Sequence, residues 1–212
     1  MFKDFLRNFE DSRECFDLRD LEDPIALYTR WNPLRSGGWS ICTHRLSSNN
    51  GMRRMHVSAI AHLFCFFCIG FGVIFSSFWV VSFSDPSAVT MTSGNIPVEL
   101  VPFLPLIFSA LGAGYLWWFY RKNVLFDKKQ GAYTCQRESF PLHEVHAIQL
   151  IRESCSGNNG PYLSYEMNLV LKNGERFNVT DHNSLGAIRV DSKKLSEYLD
   201  IPVWDLIDYE IR

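Results

Sequence analysis

The chain has 212 residues, and its 21 Lys and Arg side chains nearly balance its 23 Asp and Glu side chains, giving a formal net charge of −2. Neither end of the chain concentrates positive charge, which argues against a nucleic-acid-binding protein because such proteins carry a basic face. Aromatic residues make up 15% of the chain, which suits a membrane protein whose Trp and Tyr rings favour the lipid–water interface.

The N-terminal region, residues 1–56, is mostly polar and is predicted to lie in the cytoplasm. It begins with Phe2, Phe5, Leu6 and Phe9, whose spacing places them on one face of a helix. Such a helix would lie on the membrane surface or pack on the C-terminal domain, and the sequence leaves both alternatives open.

Two long segments, residues 57–83 and 101–120, contain no Asp, Glu, Lys or Arg. A helix rises about 1.5 Å per residue, so about 20 apolar residues span a hydrocarbon core of about 30 Å. Both segments are therefore predicted to be transmembrane helices, since every backbone polar group within a bilayer must be satisfied internally. Residues 84–100 between them are predicted to form an irregular outer loop that is too short for a domain.

The charges that flank the two segments predict their orientation. Basic residues precede the first segment and follow the second, namely Arg45, Arg53, Arg54, Arg121, Lys122, Lys128 and Lys129. The connecting loop has no Lys or Arg and carries Asp85 and Glu99. The positive-inside rule therefore places both termini of a two-span hairpin in the cytoplasm.

Beyond the second segment, residues 121–212 are predicted to form a cytoplasmic α+β domain. Alternating apolar residues predict its strands, at residues 124–126, 132–137, 144–153, 163–171 and 176–180. The Asn173-Gly174 pair predicts a hairpin between the last two strands, and residues 156–162 are predicted to be a loop. Residues 187–199 have the pattern of an amphipathic helix. The predicted fold is an antiparallel sheet of about five strands with a C-terminal helix.

Two stretches carry a resemblance to a known family. They are WNPLRSGGWSICTHRL at residues 31–46 and DHNSLGAIRVDSKKLSEYLDIPVWD at residues 181–205. Together with the two apolar segments, they resemble a family of bacterial inner-membrane proteins with two spans. That resemblance implies a bacterial cell membrane and no particular substrate. The order of strands and helix is also similar to that of bacterial membrane-attached PH-like domains, which implies a PH-like fold.

Three residues of the first apolar segment are candidates for function. Cys65 and Cys68 form a CxxC pair, which in a thiol oxidoreductase would exchange electrons with a second cysteine pair. The outer loop offers no such pair and an apolar environment suppresses the reactive thiolate, so the favoured interpretation is that both are small packing residues. His62 is the one imidazole in an apolar segment. It is either a functional group or a hydrogen-bonding group near the interface.

Small residues in both apolar segments are candidates for helix packing. Ala110 and Gly114 lie four positions apart in the second segment, and Gly70 and Gly72 offer a facing groove in the first. The favoured interpretation is a contact within the hairpin. A contact between two copies of the chain, which would make a homo-oligomer, is the alternative.

No cofactor, metal or catalytic site is predicted. A zinc site needs four ligands, but His143 and His146 would point to opposite faces of a strand. Asp181 is predicted to cap a turn or the approaching helix rather than to act with His182 and Ser184 as a catalytic set. The chain has neither a phosphate-loop nor a dinucleotide-binding glycine pattern.

The favoured functional hypothesis is a non-enzymatic, membrane-anchored interaction or regulatory protein with a protein partner. An immunity-type protein against a membrane-active toxin is one version of it. A second hypothesis is a lipid-sensing or envelope-regulating module, in which the four basic residues after the second segment contact anionic lipid. A third is an intramembrane thiol oxidoreductase that uses Cys65 and Cys68.

Overall fold

The computed structural model describes four stretches of the chain, residues 13–82, 103–136, 138–157 and 160–211. The predicted N-terminal helix at residues 2–9 and the predicted outer loop at residues 84–100 lie outside them.

The chain divides into two compact units. The folded unit is formed by Met1–His56 together with Asn123–Arg212, and the helical unit is formed by Val57–Lys122. Residues from both ends of the chain therefore build one unit. Of the two alternatives for the N-terminal region, residues 13–56 thus belong with the C-terminal domain rather than on the membrane surface.

The described elements follow one another along the chain as a mixed set of strands and helices. They are β1 (Glu14–Phe16), α1 (Pro24–Tyr28), β2 (His44–Asn49), β3 (Met52–Val57), α2 (Ala59–Ser82), α3 (Leu106–Arg121), β4 (Val124–Asp127), β5 (Ala132–Cys135), β6 (Glu138–Pro141), β7 (Val145–Gly157), β8 (Gly160–Leu171), β9 (Arg176–His182), α4 (Leu185–Leu199), β10 (Val203–Asp205) and β11 (Tyr209–Ile211).

A five-stranded antiparallel sheet forms one layer of the folded unit, with strand order β2-β3-β4-β5-β6. β2 and β3 are joined by the two-residue turn Asn50-Gly51, whose φ values are 47° and 79°. Two consecutive positive φ angles define the type I′ turn, whose twist matches that of a tight hairpin. The pairing of β3 with β4 then joins residues that precede the helical unit to residues that follow it.

A second sheet has the order β10-β7-β8-β9, with β10 parallel to β7 and the other pairs antiparallel. β7 and β8 form a long hairpin that is paired from Val145 opposite Leu171 to Gly157 opposite Gly160. A small parallel pair, β1 with β11, brings the N-terminal residues of the described chain beside the C-terminal ones.

The main core contains side chains of both sheets and of α4. Ile188 and Leu195 on the apolar face of α4 are fully buried, together with Phe126 of the first sheet and Met167 of the second. Removing a side chain of this size from water stabilises the fold by about 1.5–3 kcal/mol.

The predicted antiparallel sheet and C-terminal helix are confirmed, with corrections to the number, extent and grouping of the strands. The five predicted strands divide between two sheets, and the hairpin at residues 44–57 adds two strands that were not predicted. Residues 156–162 were predicted to be a loop, but most of them belong to β7 and β8. The cross-strand pair of Cys155 with Tyr162 continues the hydrogen-bonded ladder into this polar stretch. Strand pairing therefore determines its structure, although its polar composition predicts a loop.

The helical unit contains α2 and α3. The stretch Ala59–Val81 of α2 is long and apolar enough to cross a membrane, and 17% of its most apolar window is buried. It is the one such helix within the described residues, because α3 has 16 residues there. The structure thus supports one span, and the two-span hairpin remains a proposal. α2 begins where the Ser58 hydroxyl accepts a hydrogen bond from the Ala61 amide at 3.1 Å.

Close contact between α2 and α3 depends on glycines. A Cβ atom added to Gly112 would lie 2.7 Å from the Cys65 carbonyl oxygen and 2.9 Å from the Cys68 Cβ. A Cβ added to Gly72 would collide with Ser109, whose hydroxyl donates to the Ile69 carbonyl at 2.8 Å. Such close approach of backbones is the usual reason for glycine at a helix–helix contact.

The predicted packing residues fall on different sides of these helices. Gly72 lies at the contact, whereas Ala110 and Gly114 are exposed on α3. A Cβ added to Gly70 or Gly114 would meet nothing within 4 Å. The contact face of α3 instead carries Ser109 and Gly112, because a helix turns by 3.6 residues and these two positions share a face that Ala110 and Gly114 do not.

Replacing Gly112 by Val is expected to lower the melting temperature of the full chain in detergent. The added side chain must push α2 and α3 apart, and overpacking of this kind costs about 1–3 kcal/mol. Gly114→Val is the matched control, since it makes the same change two residues away on the exposed side. Equal melting temperatures for the two variants would contradict the helix contact.

Candidate functional site

Residues 30–39 cross the second sheet on the side away from α4, and a buried carboxylate holds them in place. Glu166 on β8 is 2% exposed. Its carboxylate accepts hydrogen bonds from the amides of Leu34 at 3.0 Å and Arg35 at 3.2 Å, and from the side chain of Asn168. Backbone amides that converge on a charged acceptor form strong hydrogen bonds, so Glu166 anchors this segment.

Further polar side chains of the same sheet face hold the start of the segment. The Gln149 amide donates to the Arg30 carbonyl at 3.0 Å, and the Arg176 guanidinium donates to the Asn32 carbonyl at 2.8 Å and to Gln149 at 3.2 Å. Burial lowers the pKa of Arg176, and the charge of Glu166 opposes that shift. These contacts give the polar residues a structural role.

The end of the segment is fixed at Gly38. Its carbonyl accepts a hydrogen bond from the Tyr162 hydroxyl at 2.6 Å, and a Cβ on Gly38 would overlap Ser164 and Asp181. Packing therefore explains Gly38 of the first resemblance motif, because only glycine fits at this close approach.

The predicted cap at Asp181 is wrong. Asp181 lies in β9, where its carboxylate accepts a hydrogen bond from the Ser164 hydroxyl at 2.8 Å. The residue at the N-terminus of α4 is Ser184, whose amide donates to the His182 ring at 3.2 Å. The helix begins three residues later than an Asp181 cap requires because β9 continues to His182.

A basic cleft lies on the folded unit where the β2–β3 hairpin, the β4–β5 turn and α4 meet, and it is called the Tyr198 cleft. Its volume is about 480 Å³. It is lined by Leu46, Ser47, Ser48, Arg53, Lys128, Lys194, Glu197 and Tyr198. Three cations and one carboxylate therefore face the same space.

Hydrogen bonds fix the position of the Tyr198 side chain, and two of the cations contact its ring. Its hydroxyl accepts a hydrogen bond from the Lys128 amide at 2.9 Å and lies 2.9 Å from the Gly51 carbonyl, to which it donates. The Arg53 guanidinium lies 4.7 Å from the ring centroid and the Lys128 ammonium 5.1 Å from it. Each cation–π contact at an exposed site contributes about 0.5–1 kcal/mol, so the ring holds two positive charges near each other.

The cations of the Tyr198 cleft form no salt bridge among the described residues, although Glu197 lines the same cleft. Among the described residues, no carboxylate lies within 4.0 Å of Arg53, Lys128 or Lys194. Arg53 donates to the Ser48 hydroxyl, which leaves its charge uncompensated. The turn that carries Lys128 is rigid because Asp127 accepts hydrogen bonds from the amides of Lys129 and Gln130 at 2.8 and 3.1 Å.

The predicted candidates in the helical unit lie apart from this cleft in the sequence and have packing contacts of their own. His62 donates from Nδ1 to the Ser58 carbonyl at 2.9 Å, and its Nε2 lies 2.8 Å from the Tyr120 hydroxyl. The two nitrogens are thus both engaged within the unit. Cys65 is buried at the contact with Gly112, and Cys68 is half-buried beside it.

The predicted basic residues divide between the two units. The Arg121 guanidinium stacks 4.7 Å from the ring centroid of Trp117 on the same helix, and Lys122 ends that helix. Lys128 lines the Tyr198 cleft, and the neighbouring Lys129 is exposed.

The histidines considered for zinc do not assemble. His146 forms a hydrogen bond of 2.7 Å with Asp23, and it therefore fastens the segment before α1 to β7. Within the described ranges, no three His, Cys, Asp or Glu side chains come together as a metal site.

Comparisons with known proteins identify no relative. A scan against protein-family models, a search of curated proteins and a search of solved structures each gave no match for this chain.

Sequence reasoning missed Lys194, Tyr198 and the ligand-binding potential of Arg53. Arg53 was considered only for its effect on membrane orientation. One available signal was the Asn50-Gly51 pair, since Asn-Gly marks a tight hairpin and would have turned Arg53 back toward the sheet.

Proposed function

We propose that this protein is a non-enzymatic, membrane-anchored regulatory module, in which two membrane-spanning helices carry a cytoplasmic binding unit of PH-like architecture. The observation that carries the proposal is how the chain joins its two units. One residue, Ser58, connects β3 to α2, and two residues, Lys122 and Asn123, connect α3 to β4. Connectors this short keep the folded unit close to any membrane that the helices enter.

The strand order supports the PH-like part of the proposal. β3 to β6 form an antiparallel meander in one sheet, β7 to β9 form a second antiparallel set, and α4 follows. These are seven strands and a C-terminal helix, the number of strands in a complete PH-like domain, and β2 and β10 extend the two sheets beyond that set. The helical unit is then an insertion between the first two of the seven strands.

A regulatory module of this kind acts by binding, and a crosslinking pull-down from the native membrane tests it. Full-length protein is crosslinked in cells, solubilised in detergent and analysed by mass spectrometry. We expect one dominant protein partner, and a secreted toxin as that partner would support the immunity-type version. The control is the same procedure applied to membranes that lack this protein, which identifies proteins recovered nonspecifically. Recovery of the protein alone would contradict the proposal of a protein partner.

A further inference from the structure

The cations of the Tyr198 cleft come from three separate parts of the chain. Arg53 lies on β3, Lys128 follows β4 and Lys194 lies on α4. Glu197 also lines the cleft, so three cations face one carboxylate and the cleft has an excess of positive charge. This excess favours the binding of an anion between the cations.

We infer that the Tyr198 cleft binds a phosphate-bearing anion. A guanidinium held in position by a ring and a hydroxyl is suited to planar, paired hydrogen bonds with phosphate oxygens. Two ammonium groups supply point charges on other sides of the cleft, and the Ser48 hydroxyl, which accepts from Arg53, supplies an uncharged donor. A volume of about 480 Å³ accommodates a phosphate with a small organic group attached.

The carboxylate of Glu197 lies at the edge of the same cleft and shapes what it accepts. It repels a bare anion, and it accepts a hydrogen bond from a hydroxyl or ammonium group next to the phosphate. The cleft therefore favours a phosphate monoester or a phospholipid headgroup over a simple inorganic anion of equal charge. The site deepens the proposed function by naming a ligand class, and it rests on the binding role of the folded unit rather than on a protein partner.

Calorimetric titration of the full-length protein in detergent at low ionic strength tests the site, with glycerol 3-phosphate and inorganic phosphate as probes. We expect saturable binding that weakens about tenfold in Lys194→Gln, which removes one charged contact. Lys193→Gln is the matched control, since Lys193 is the exposed neighbour on the same helix and does not line the cleft. Lys194 has no hydrogen bond or ion pair among the described residues that its replacement would break, so the variant is expected to fold normally.

A variant that is expected to tighten binding, rather than weaken it, provides a second test. Glu197→Gln is expected to tighten the binding of inorganic phosphate several-fold, because it removes the one carboxylate of the cleft. Nanodiscs with and without phosphatidic acid distinguish the two sources of phosphate. Competition by phosphatidic acid against glycerol 3-phosphate identifies a lipid headgroup, and unchanged binding identifies a soluble phosphate ester.

The inference is overturned if no probe binds saturably to the folded wild-type protein, or if Lys193→Gln and Lys194→Gln weaken binding equally. Neither result affects the expected pull-down of a protein partner. Conversely, the pull-down could recover no partner while Lys194→Gln alone weakens the binding of the phosphate probes. That result would support the anion site and contradict the proposal of a protein partner. The two experiments thus fail separately.

Discussion

Replacing Asp191 by Asn is expected to lower the free energy of unfolding by about 3 kcal/mol, the lower end of the range for removing one partner of a buried ion pair, because the partner Arg45 is 38% exposed. Asp191 on α4 is 1% exposed. Its carboxylate accepts hydrogen bonds from the Arg45 guanidinium at 2.9 Å and from the Leu46 amide at 3.0 Å. That hydrogen bond with Asp191 raises the pKa of Arg45. One carboxylate therefore joins α4 to the edge strand β2.

The measurement is thermal and denaturant unfolding of the full chain in detergent, followed by near-ultraviolet circular dichroism. The matched control is Asp200→Asn, at the exposed residue that ends α4 with a positive φ of 61°. Asn tolerates that conformation well, so the control is expected to unfold like the wild type. Similar stability for Asp191→Asn and Asp200→Asn would show that the Arg45 pair does not hold α4 on the sheet.

Replacing Glu166 by Gln is expected to lower the free energy of unfolding by about 2–3 kcal/mol, because hydrogen bonds to a charged acceptor are lost in a buried site. The amide group of Gln would also place N–H donors against the amides of Leu34 and Arg35, which donate to Glu166 in the wild type. The segment at residues 30–39 should then loosen from the second sheet.

Limited proteolysis below the unfolding temperature measures how firmly that segment is held, and we expect faster cleavage at residues 30–39 in Glu166→Gln. Glu175→Gln is the control, because Glu175 is exposed in the turn between β8 and β9. A Glu166→Gln protein that unfolds and is cleaved like Glu175→Gln would contradict the anchoring role of Glu166.

The sequence predicts best where structure is local. The hairpin at Asn173-Gly174 is present. The Asn173 side-chain oxygen accepts a hydrogen bond from the Glu175 amide at 2.9 Å, as expected of an Asn turn. The strands on either side follow from alternating apolar residues, and α4 follows from its apolar face. Each of these features depends on neighbours within a few residues.

The remaining features depend on contacts between distant parts of the chain. β3 pairs with β4 across the whole helical unit and β2 pairs with β3, whereas the basic residues of both strands predict only membrane orientation. The face of α3 that meets α2 is set by Gly112, which no pattern in its own segment distinguishes from Gly114. The Tyr198 cleft joins residues 53, 128 and 194, so its charges become a site only when the sheet and α4 assemble.

The central claim is that the helices hold the folded unit at a membrane, and alkaline carbonate washing of cell membranes tests it most directly. High pH releases peripheral proteins and leaves proteins with membrane-spanning helices in the pellet. We predict that the full-length protein remains in the membrane pellet, because Ala59–Val81 is long and apolar enough to span the bilayer. Its complete release into the soluble fraction would contradict the account.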